Sequence, residues 1–187
     1  KVSTSNSLFH LYPQLARQWH PQKNGDLNPI DVVAGSGKRF WWKCDVADDH
    51  EWVATGNSRV SKGSGCPYCA NLKVSTTNSL ATLHPKASLL WHPVRNGRVT
   101  PSDVVAGSNG RYWWKCKVAD DHEWITSISS LTLQGTGCPC CAGKKLSKTN
   151  SLATKHPELN SEWHTKKNGV TTPSDVIAHS HKKYWWK

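Results

Sequence analysis

Clusters of apolar and aromatic residues recur along the chain, separated by polar stretches that contain Gly, Pro and Asn. Near the middle of the chain, one cluster covers residues 111–116 and a second covers residues 122–125. Short aromatic-rich runs bounded by turn residues are typical of β-strands. Because only the tight polar loop at residues 117–121 separates the two runs, they are predicted to form a hairpin.

The residues before this hairpin favour short helices rather than strands. Ser79 can cap one helical turn, and Pro85 suits the first position of a second helix. An Asn-Gly pair at residues 96–97 then ends the helical pattern, and residues 100–103 read as a turn. The front half of the pattern is therefore predicted to be a small helical cap.

The whole pattern repeats with a spacing of 72 residues and no insertion. Its landmarks are the Asn-Ser-Leu runs that begin at Asn6, Asn78 and Asn150, and the Trp-His pairs that begin at Trp19, Trp91 and Trp163. We predict complete modules at residues 1–72 and 73–144, and the truncated front part of a third module, without zinc ligands, at residues 145–187. Because Lys1 to Thr4 matches residues 73–76, we also expect a further module to precede residue 1.

Composition adds a strong positive charge to this picture. The formal net charge is +11 and the pI is near 9.4, so the molecule carries a positive field that attracts phosphate groups or anionic surfaces. No run reaches the roughly 18 apolar residues of a membrane span, and we expect a soluble protein with no membrane partner. Cysteines in CxxC pairs favour metal binding over a disulfide framework, which predicts an intracellular, reducing compartment.

Each complete module contains two pairs of candidate metal ligands. Cys44 and His50 flank a five-residue loop, and Cys66 and Cys69 form a CxxC pair. The same four positions recur in the second module as Cys116, His122, Cys138 and Cys141. Thiolate and imidazole ligands suit zinc, and four protein ligands leave no open position for water or substrate. We therefore predict two structural zinc ions, one per complete module.

Disulfides, or buried cysteines with a surface histidine at His50, are the alternative interpretation. The odd count of seven cysteines, the CxxC spacing and the recurrence of all four positions argue against it. Cys140 occupies the position that Tyr68 holds in the first module, so we do not expect it to be a ligand. The sequence leaves open an exchange of Cys140 with Cys138 or Cys141.

The ordered motifs of each module resemble those of a known family. Trp-Trp-Lys-Cys, His-Glu-Trp and Gly-Cys-Pro-x-Cys, preceded by Asn-Ser-Leu, Trp-His, Asn-Gly and Pro-x-Asp-Val, resemble the probable zinc-ribbon domain family of unknown function. The resemblance covers nearly the whole chain and implies a treble-clef-like zinc half: a knuckle, a hairpin, and a helix that carries the last two ligands. The ligands that it implies are the eight named above. Where a short Gly-His turn is typical of the family, this chain has the longer runs 46–50 and 118–122.

The predicted fold class is therefore small α+β zinc-stapled modules. They form tandem treble-clef or zinc-ribbon-like repeats of 72 residues, each with a short helical cap before a zinc-bound β-hairpin and a short helix.

Adjacent tryptophans lie on the first predicted strand of each hairpin, where neighbouring side chains point to opposite faces. Of Trp41 and Trp42, we predict that one packs on the zinc half and the other under the helical cap. The alternative is that one of them is an exposed stacking platform for bases. For Trp19 and His20 we predict a core tryptophan and a histidine that caps a turn or lies at the surface.

Basic residues cluster where a surface could follow a phosphate backbone. The candidate nucleic-acid contacts are Lys38, Arg39, Lys43, Arg59, Lys62, Arg111, Lys115, Lys144 and Lys145. Because a row of similar modules repeats the same basic edge, the pattern suits a long polyanion. A generally basic surface without a nucleic-acid partner is the simpler alternative.

The leading hypothesis is a structural-zinc repeat protein that binds DNA or RNA mainly through basic surfaces. The second hypothesis is a zinc-dependent scaffold for another protein, and the third is an accessory region of a nuclease. We expect no enzymatic activity in this chain, because His50-Glu51 lacks the second histidine of a zinc protease motif and no other catalytic cluster is evident.

Overall fold

A computed structural model of residues 1–187 separates the chain into two units. The first comprises Lys1–Leu83 with Ser102–Val105, and the second comprises His84–Pro101 with Ala106–Lys187. Neither unit coincides with one 72-residue repeat, because the first unit extends past residue 72 into the start of the second repeat. The module boundaries at 1–72, 73–144 and 145–187 stay a prediction.

The first unit is built from short elements around one hairpin. In chain order these are α1 Leu8–Leu11, α2 Pro13–Ala16, a 3₁₀ helix Pro29–Asp31, β1 Arg39–Lys43, β2 Glu51–Thr55, α3 Gly56–Val60 and α4 Leu80–Leu83. The Ser7 hydroxyl accepts the N–H of His10 and so caps α1, and Pro13 opens α2. Strands β1 and β2 are antiparallel, with Trp42 opposite Trp52.

The second unit repeats this order and adds the front of a third repeat. Its elements are α5 Pro85–Ser88, β3 Arg111–Lys115, β4 Glu123–Ser127, α6 Ile128–Thr132, α7 Leu152–Lys155 and 3₁₀ helices at Pro157–Glu162 and Pro173–Asp175; Pro101–Asp103 forms another 3₁₀ helix. Trp114 lies opposite Trp124 in the β3–β4 hairpin. Pro85 opens α5, as the sequence predicts.

Tryptophan rings organise the core of the first unit. Trp42 is completely buried, and its ring meets that of Trp19 edge to face at a centroid distance of 5.6 Å. The indole N–H of Trp42 donates to the carbonyl of Ala54 at 3.1 Å, which satisfies its one polar group. The other buried members of this core are Leu8, Val32, Phe40, Cys44, Trp52 and Cys66.

The Trp-His segment lies beside the first strand of each hairpin. The N–H of His20 donates to the carbonyl of Trp41, and the N–H of Lys43 donates to the carbonyl of Gln18. In the second unit the N–H of His92 likewise donates to the carbonyl of Trp113, and the N–H of Lys115 donates to the carbonyl of Leu90. Because this segment covers β1 and β3 on one side, the open edge strand is β2 in the first hairpin and β4 in the second.

The prediction that both adjacent tryptophans enter a core is wrong. Trp42 is buried, but Trp41 lies on the opposite face of β1 and is 36% exposed. Trp113, the equivalent residue of the second hairpin, is half-buried. A two-stranded hairpin with its core on one side leaves the other face open, which places the alternating tryptophan there.

The short helix of each zinc half lies earlier than predicted. The fold class is confirmed, but the helix directly follows the second strand, at α3 and α6, and does not carry the last two ligands. The hydroxyl groups of Thr55 and Ser127 cap these helices. The CxxC pair itself lies in a run of turns rather than at the start of a helix. The helices are all short, and none could span a lipid bilayer.

Candidate metal centres

The first group of predicted ligands converges on one point in the first unit. The Sγ atoms of Cys44 and Cys69 lie 3.7 Å apart, and the Nδ1 atom of His50 lies 3.6 Å from Cys66 Sγ and 3.5 Å from Cys69 Sγ. A zinc tetrahedron with ordinary bond lengths has S–S edges of about 3.8 Å and S–N edges of about 3.6 Å. The four ligand atoms therefore fit zinc, with Nδ1 as the histidine donor.

The second group has the same geometry in the second unit. Cys116 Sγ and Cys141 Sγ are 3.7 Å apart, and His122 Nδ1 lies 3.6 Å from Cys138 Sγ and 3.4 Å from Cys141 Sγ. In each group the four ligand atoms all lie within 4.8 Å of one another. Two structural zinc ions, one per complete module, fit these two sets of three cysteines and one histidine.

Local backbone bonds bring each ligand pair together. The N–H of Cys44 donates to the carbonyl of His50 at 3.0 Å, which closes the loop between β1 and β2. At the CxxC pair, the N–H of Ala70 donates to the carbonyl of Cys66 at 3.1 Å, and the N–H of Leu72 donates to the carbonyl of Pro67 at 2.8 Å. The hairpin and the tight turn thus each supply two ligands from rigid backbone.

Thiols packed this closely resist ionisation unless a cation is present. Burial, followed by hydrogen bonds with the thiols of Cys44 and Cys66, raises the pKa of Cys69 to about 12. Burial and neighbouring thiols likewise raise the pKa of Cys141 to about 12. A divalent cation reverses this preference, because it stabilises the thiolates that otherwise repel one another. The donor set is therefore suited to a bound metal and poorly suited to free thiolates.

Cys140 lies outside the second ligand group, which answers the question that the sequence left open. It is 1% exposed, and burial raises the pKa of its thiol. In the first unit the equivalent Tyr68 stacks on the ring of His50 at a centroid distance of 5.0 Å, and its hydroxyl donates to the carbonyl of Glu51. In the second unit, the Nζ of Lys145 donates to the carbonyl of Glu123, the residue equivalent to Glu51.

A pair of hydroxyl groups holds the outer nitrogen of each ligand histidine. His50 Nε2 lies 3.0 Å from Ser75 Oγ and 3.0 Å from Thr77 Oγ1. Because Nδ1 faces the metal position, Nε2 carries the proton and donates it to this Ser-x-Thr pair. His122 Nε2 makes the same bonds in the second unit, at 3.2 Å to Ser147 and 2.7 Å to Thr149. Both Ser-x-Thr pairs begin the sequence repeat that follows the zinc ligands.

The segment that carries each Ser-x-Thr pair is fixed by further bonds. The Asp49 carboxylate accepts the N–H of Thr76 at 2.6 Å, and this bond lowers the pKa of Asp49. The Asn78 amide donates to the carbonyls of Tyr68 and Lys73, both at 2.9 Å. Sequence reasoning missed this arrangement, although the recurring Ser-x-Thr-Asn string was a visible signal.

A second recurring arrangement surrounds the outward tryptophans. In the first unit the Asn24 side chain accepts the N–H of Trp41 at 2.8 Å and donates to its carbonyl at 2.9 Å. The next residue, Gly25, has a φ of 62°, a conformation that favours glycine. This turn places Lys23 against the ring of Trp41. The Lys23 ammonium lies 4.7 Å from the centroid of that ring.

The same ring and cation pair occurs in all three repeats. Arg95 lies 4.3 Å from the Trp113 centroid, and Lys167 lies 4.5 Å from the Trp185 centroid. We call the pairs Lys23–Trp41, Arg95–Trp113 and Lys167–Trp185 the Trp–cation platforms. Their cationic residues were not among the predicted contacts, although each precedes an Asn-Gly pair in the sequence.

A histidine and a glutamate hold the cation in two of these platforms. His20 Nδ1 accepts the N–H groups of Gln22 and Lys23, so Nε2 carries the proton and donates to the Glu51 carboxylate at 2.9 Å. The hydrogen bond from Lys23, followed by that from His20, lowers the pKa of Glu51 to about 2. His20 therefore caps a turn, one of the two predicted roles, but it is buried rather than at the surface.

The other predicted basic contacts have different surroundings. Lys38, Arg39, Lys62, Arg111, Lys144 and Lys145 are exposed. Lys43 pairs with Asp48 at 3.0 Å, and Lys115 pairs with Asp120 at 3.1 Å. These two pairs partly neutralise the charge beside the first knuckle of each centre.

Arg59 is a correction to the set of candidate contacts. It is 3% exposed, and its guanidinium lies 4.8 Å from the Trp42 centroid and 5.2 Å from the Trp52 centroid. It also donates to the carbonyl of Ser64 and the side chain of Gln18. Burial lowers its pKa, and a guanidinium enclosed in this way cannot contact a phosphate backbone.

Comparison with known proteins supports the zinc-bound fold. A family model described as a probable treble clef zinc finger domain matches residues 15–72, 88–144 and 159–187. Each matched segment lies within one of the three sequence repeats. A search of curated proteins finds no match.

Proposed function

Because the chain belongs to the family of probable treble clef zinc finger domains, which is defined by its fold rather than by an activity, we propose a function from its own surface. The chain is a nucleic-acid-binding repeat protein whose zinc ions are structural. The observation that carries this proposal is the Trp–cation platform, which recurs with the same geometry at intervals of 72 residues.

Each platform presents a positive charge and an aromatic ring together. Nucleic-acid backbones are neutralised by Lys and Arg, and unstacked bases pack on aromatic rings or on guanidinium planes. The carboxylate of Glu123 engages one donor of Arg95, at 2.9 Å, and a guanidinium has five N–H donors. The remaining donors of Arg95 are sufficient for a phosphate oxygen.

Charge beyond the platforms favours the same class of ligand. The net charge is +11, and Lys38, Arg39, Arg111 and Lys144 are exposed basic residues. A polyanion that spans several repeats gains one set of contacts from each, whereas a small anion gains only one set. The role is binding rather than catalysis, because the four ligands of each centre leave no position for a substrate.

A salt series tests the proposal. Labelled DNA and RNA oligonucleotides are titrated with the zinc-loaded protein at increasing salt. One phosphate contact per platform predicts a slope of log K against log salt of about −2 to −3. Binding at high salt with no slope would refute the proposal, and a protein partner retained under those conditions would favour the scaffold alternative instead.

Two triple variants of equal charge locate the contacts. Substitution of Lys23, Arg95 and Lys167 by Gln removes the three platform cations and is expected to reduce the magnitude of the slope by about 2 to 3. The control replaces Lys86, Lys117 and Lys155 by Gln, which are exposed and lie outside the platforms. An equal loss in both variants would show that net charge, and not the platform, determines binding.

A further inference from the structure

A cavity of about 820 Å³ opens beside the edge strand β4 in the second unit. Its walls come from β4, from Ser130 of α6, from the segment between Gln134 and Lys145, and from Trp113 on β3. This volume lies within the range of about 300 to 1,000 Å³ that is typical of small-ligand sites.

The chemistry of the walls combines a ring with positive charge. Trp113 and Ile125 provide an apolar surface, and Lys144 and Lys145 lie at the other side of the cavity. No Asp or Glu lines it. Lys145 uses one of its three donors on the carbonyl of Glu123, which holds its ammonium group in place without removing its charge.

The backbone of Trp113 is fixed by a side chain, and a cation lies over its ring. The Asn96 side chain bonds both the N–H and the carbonyl of Trp113 at 2.9 Å, and the Arg95 guanidinium lies over the ring. A ring fixed before binding loses little conformational entropy when a ligand packs on it. The same residue therefore joins the Trp–cation platform to the cavity.

We propose that this cavity binds an unstacked base of single-stranded DNA or RNA, with the base on Trp113 and an adjoining phosphate at Lys144 and Lys145. This inference rests on the proposed function and deepens it. In a duplex each base face is covered by its neighbours, so only a single strand can offer a face to the ring. The paired lysines and the absence of a carboxylate in the walls favour an anionic ligand. Because the ligand must also place an aromatic face on Trp113, a nucleotide fits better than an acidic peptide.

Two strands of equal charge isolate the contribution of the base. A labelled oligothymidylate and an abasic strand of the same length are titrated with the zinc-loaded protein. The oligothymidylate is expected to bind more tightly. Trp113→Ala is expected to weaken oligothymidylate binding by roughly 5- to 150-fold, the usual effect of losing one base–aromatic contact, and to change abasic binding less than about twofold.

Matched variants keep the result interpretable. Trp113→Phe preserves a ring and is expected to retain most of the affinity. Phe9→Ala removes an exposed aromatic ring that lies outside the cavity and outside the platforms, and is expected to behave as wild type. Lys144 is exposed, and Lys144→Glu is expected to weaken the binding of both strands. Measured zinc content of two ions per chain confirms that each variant is folded at its centres.

The possible failures are distinguishable. Trp113→Ala could leave the binding of both strands unchanged, or weaken the binding of both equally. If binding remains salt-dependent in either case, the base site is refuted and the proposed function stands. If duplex of the same sequence competes as well as the single strand, the base site is also refuted. If the wild-type protein binds neither single strand at low salt but binds a duplex, only the base site fails; if it binds neither the single strands nor the duplex, the proposed function fails as well.

Discussion

The Ser-x-Thr pair offers the sharpest test of how each zinc centre is held. The double substitution Ser75→Ala and Thr77→Val removes both acceptors of the His50 Nε2 proton, which lie 3.0 Å from that nitrogen. Because His50 is 1% exposed, water cannot readily replace them. Leaving a buried donor unsatisfied costs about 1 to 3 kcal/mol, which corresponds to a loss of zinc affinity of roughly 5- to 150-fold. Losses of about 10- to 100-fold are typical when a partner of a ligand histidine is removed.

The assay is a competition titration with a chromogenic chelator of known zinc affinity. The wild-type protein releases two ions, and the double variant is expected to release one of them at a chelator concentration roughly 10- to 100-fold lower. The matched control is Ser3→Ala with Ser5→Val, because these residues hold the equivalent positions of the first repeat and bond to each other at 2.9 Å instead of to a ligand histidine. Release of both ions at the wild-type chelator concentration would refute the reasoning.

Three further predictions concern the metal and the core. Removal of zinc by excess chelator is expected to lower the melting temperature and the hairpin signal in circular dichroism, because zinc contributes on the order of 10 kcal/mol in small modules; an unchanged melting curve would contradict this. Cys140→Ser is expected to retain two zinc ions per chain by mass spectrometry, since Cys140 lies outside the ligand group, and a fall to one ion would make it a ligand. Trp42→Ala is expected to cost roughly 3 to 5 kcal/mol in denaturant unfolding, because the ring is completely buried, whereas Trp185→Ala on the open face should cost less than about 0.5 kcal/mol.

The zinc-bound hairpin is the part of the fold that could be predicted from the sequence. Cysteine and histidine spacing is restricted by the geometry of a tetrahedral site, and the repeat displays that spacing twice. The strands followed from aromatic runs bounded by turn residues, and they appear as β1 to β4 with small differences at their ends. Alternation also correctly separated Trp41 from Trp42 by face.

The surroundings of that hairpin could not be predicted as well, for identifiable reasons. Alternation does not reveal whether a second layer covers the outer face, so Trp41 was wrongly assigned to a core. Arg59 was assigned to the surface because of its charge, although long side chains can bury their stems and stack on aromatic rings. Its equivalent in the second repeat is the buried Leu131, and this exchange was a sequence signal for an interior position.

The bond between each ligand histidine and the following repeat has a practical consequence for cutting the chain. A fragment that stops at residue 72 would hold all four ligands of the first centre and would still expose the imidazole N–H of His50 to water, because Ser75 and Thr77 would be missing. The smallest fragment that preserves an intact centre therefore begins and ends at different points from the sequence repeat. It includes the hairpin and continues through the Asn of the next Asn-Ser-Leu run, whereas truncations designed on the sequence period alone would separate each ligand histidine from its Ser-x-Thr pair.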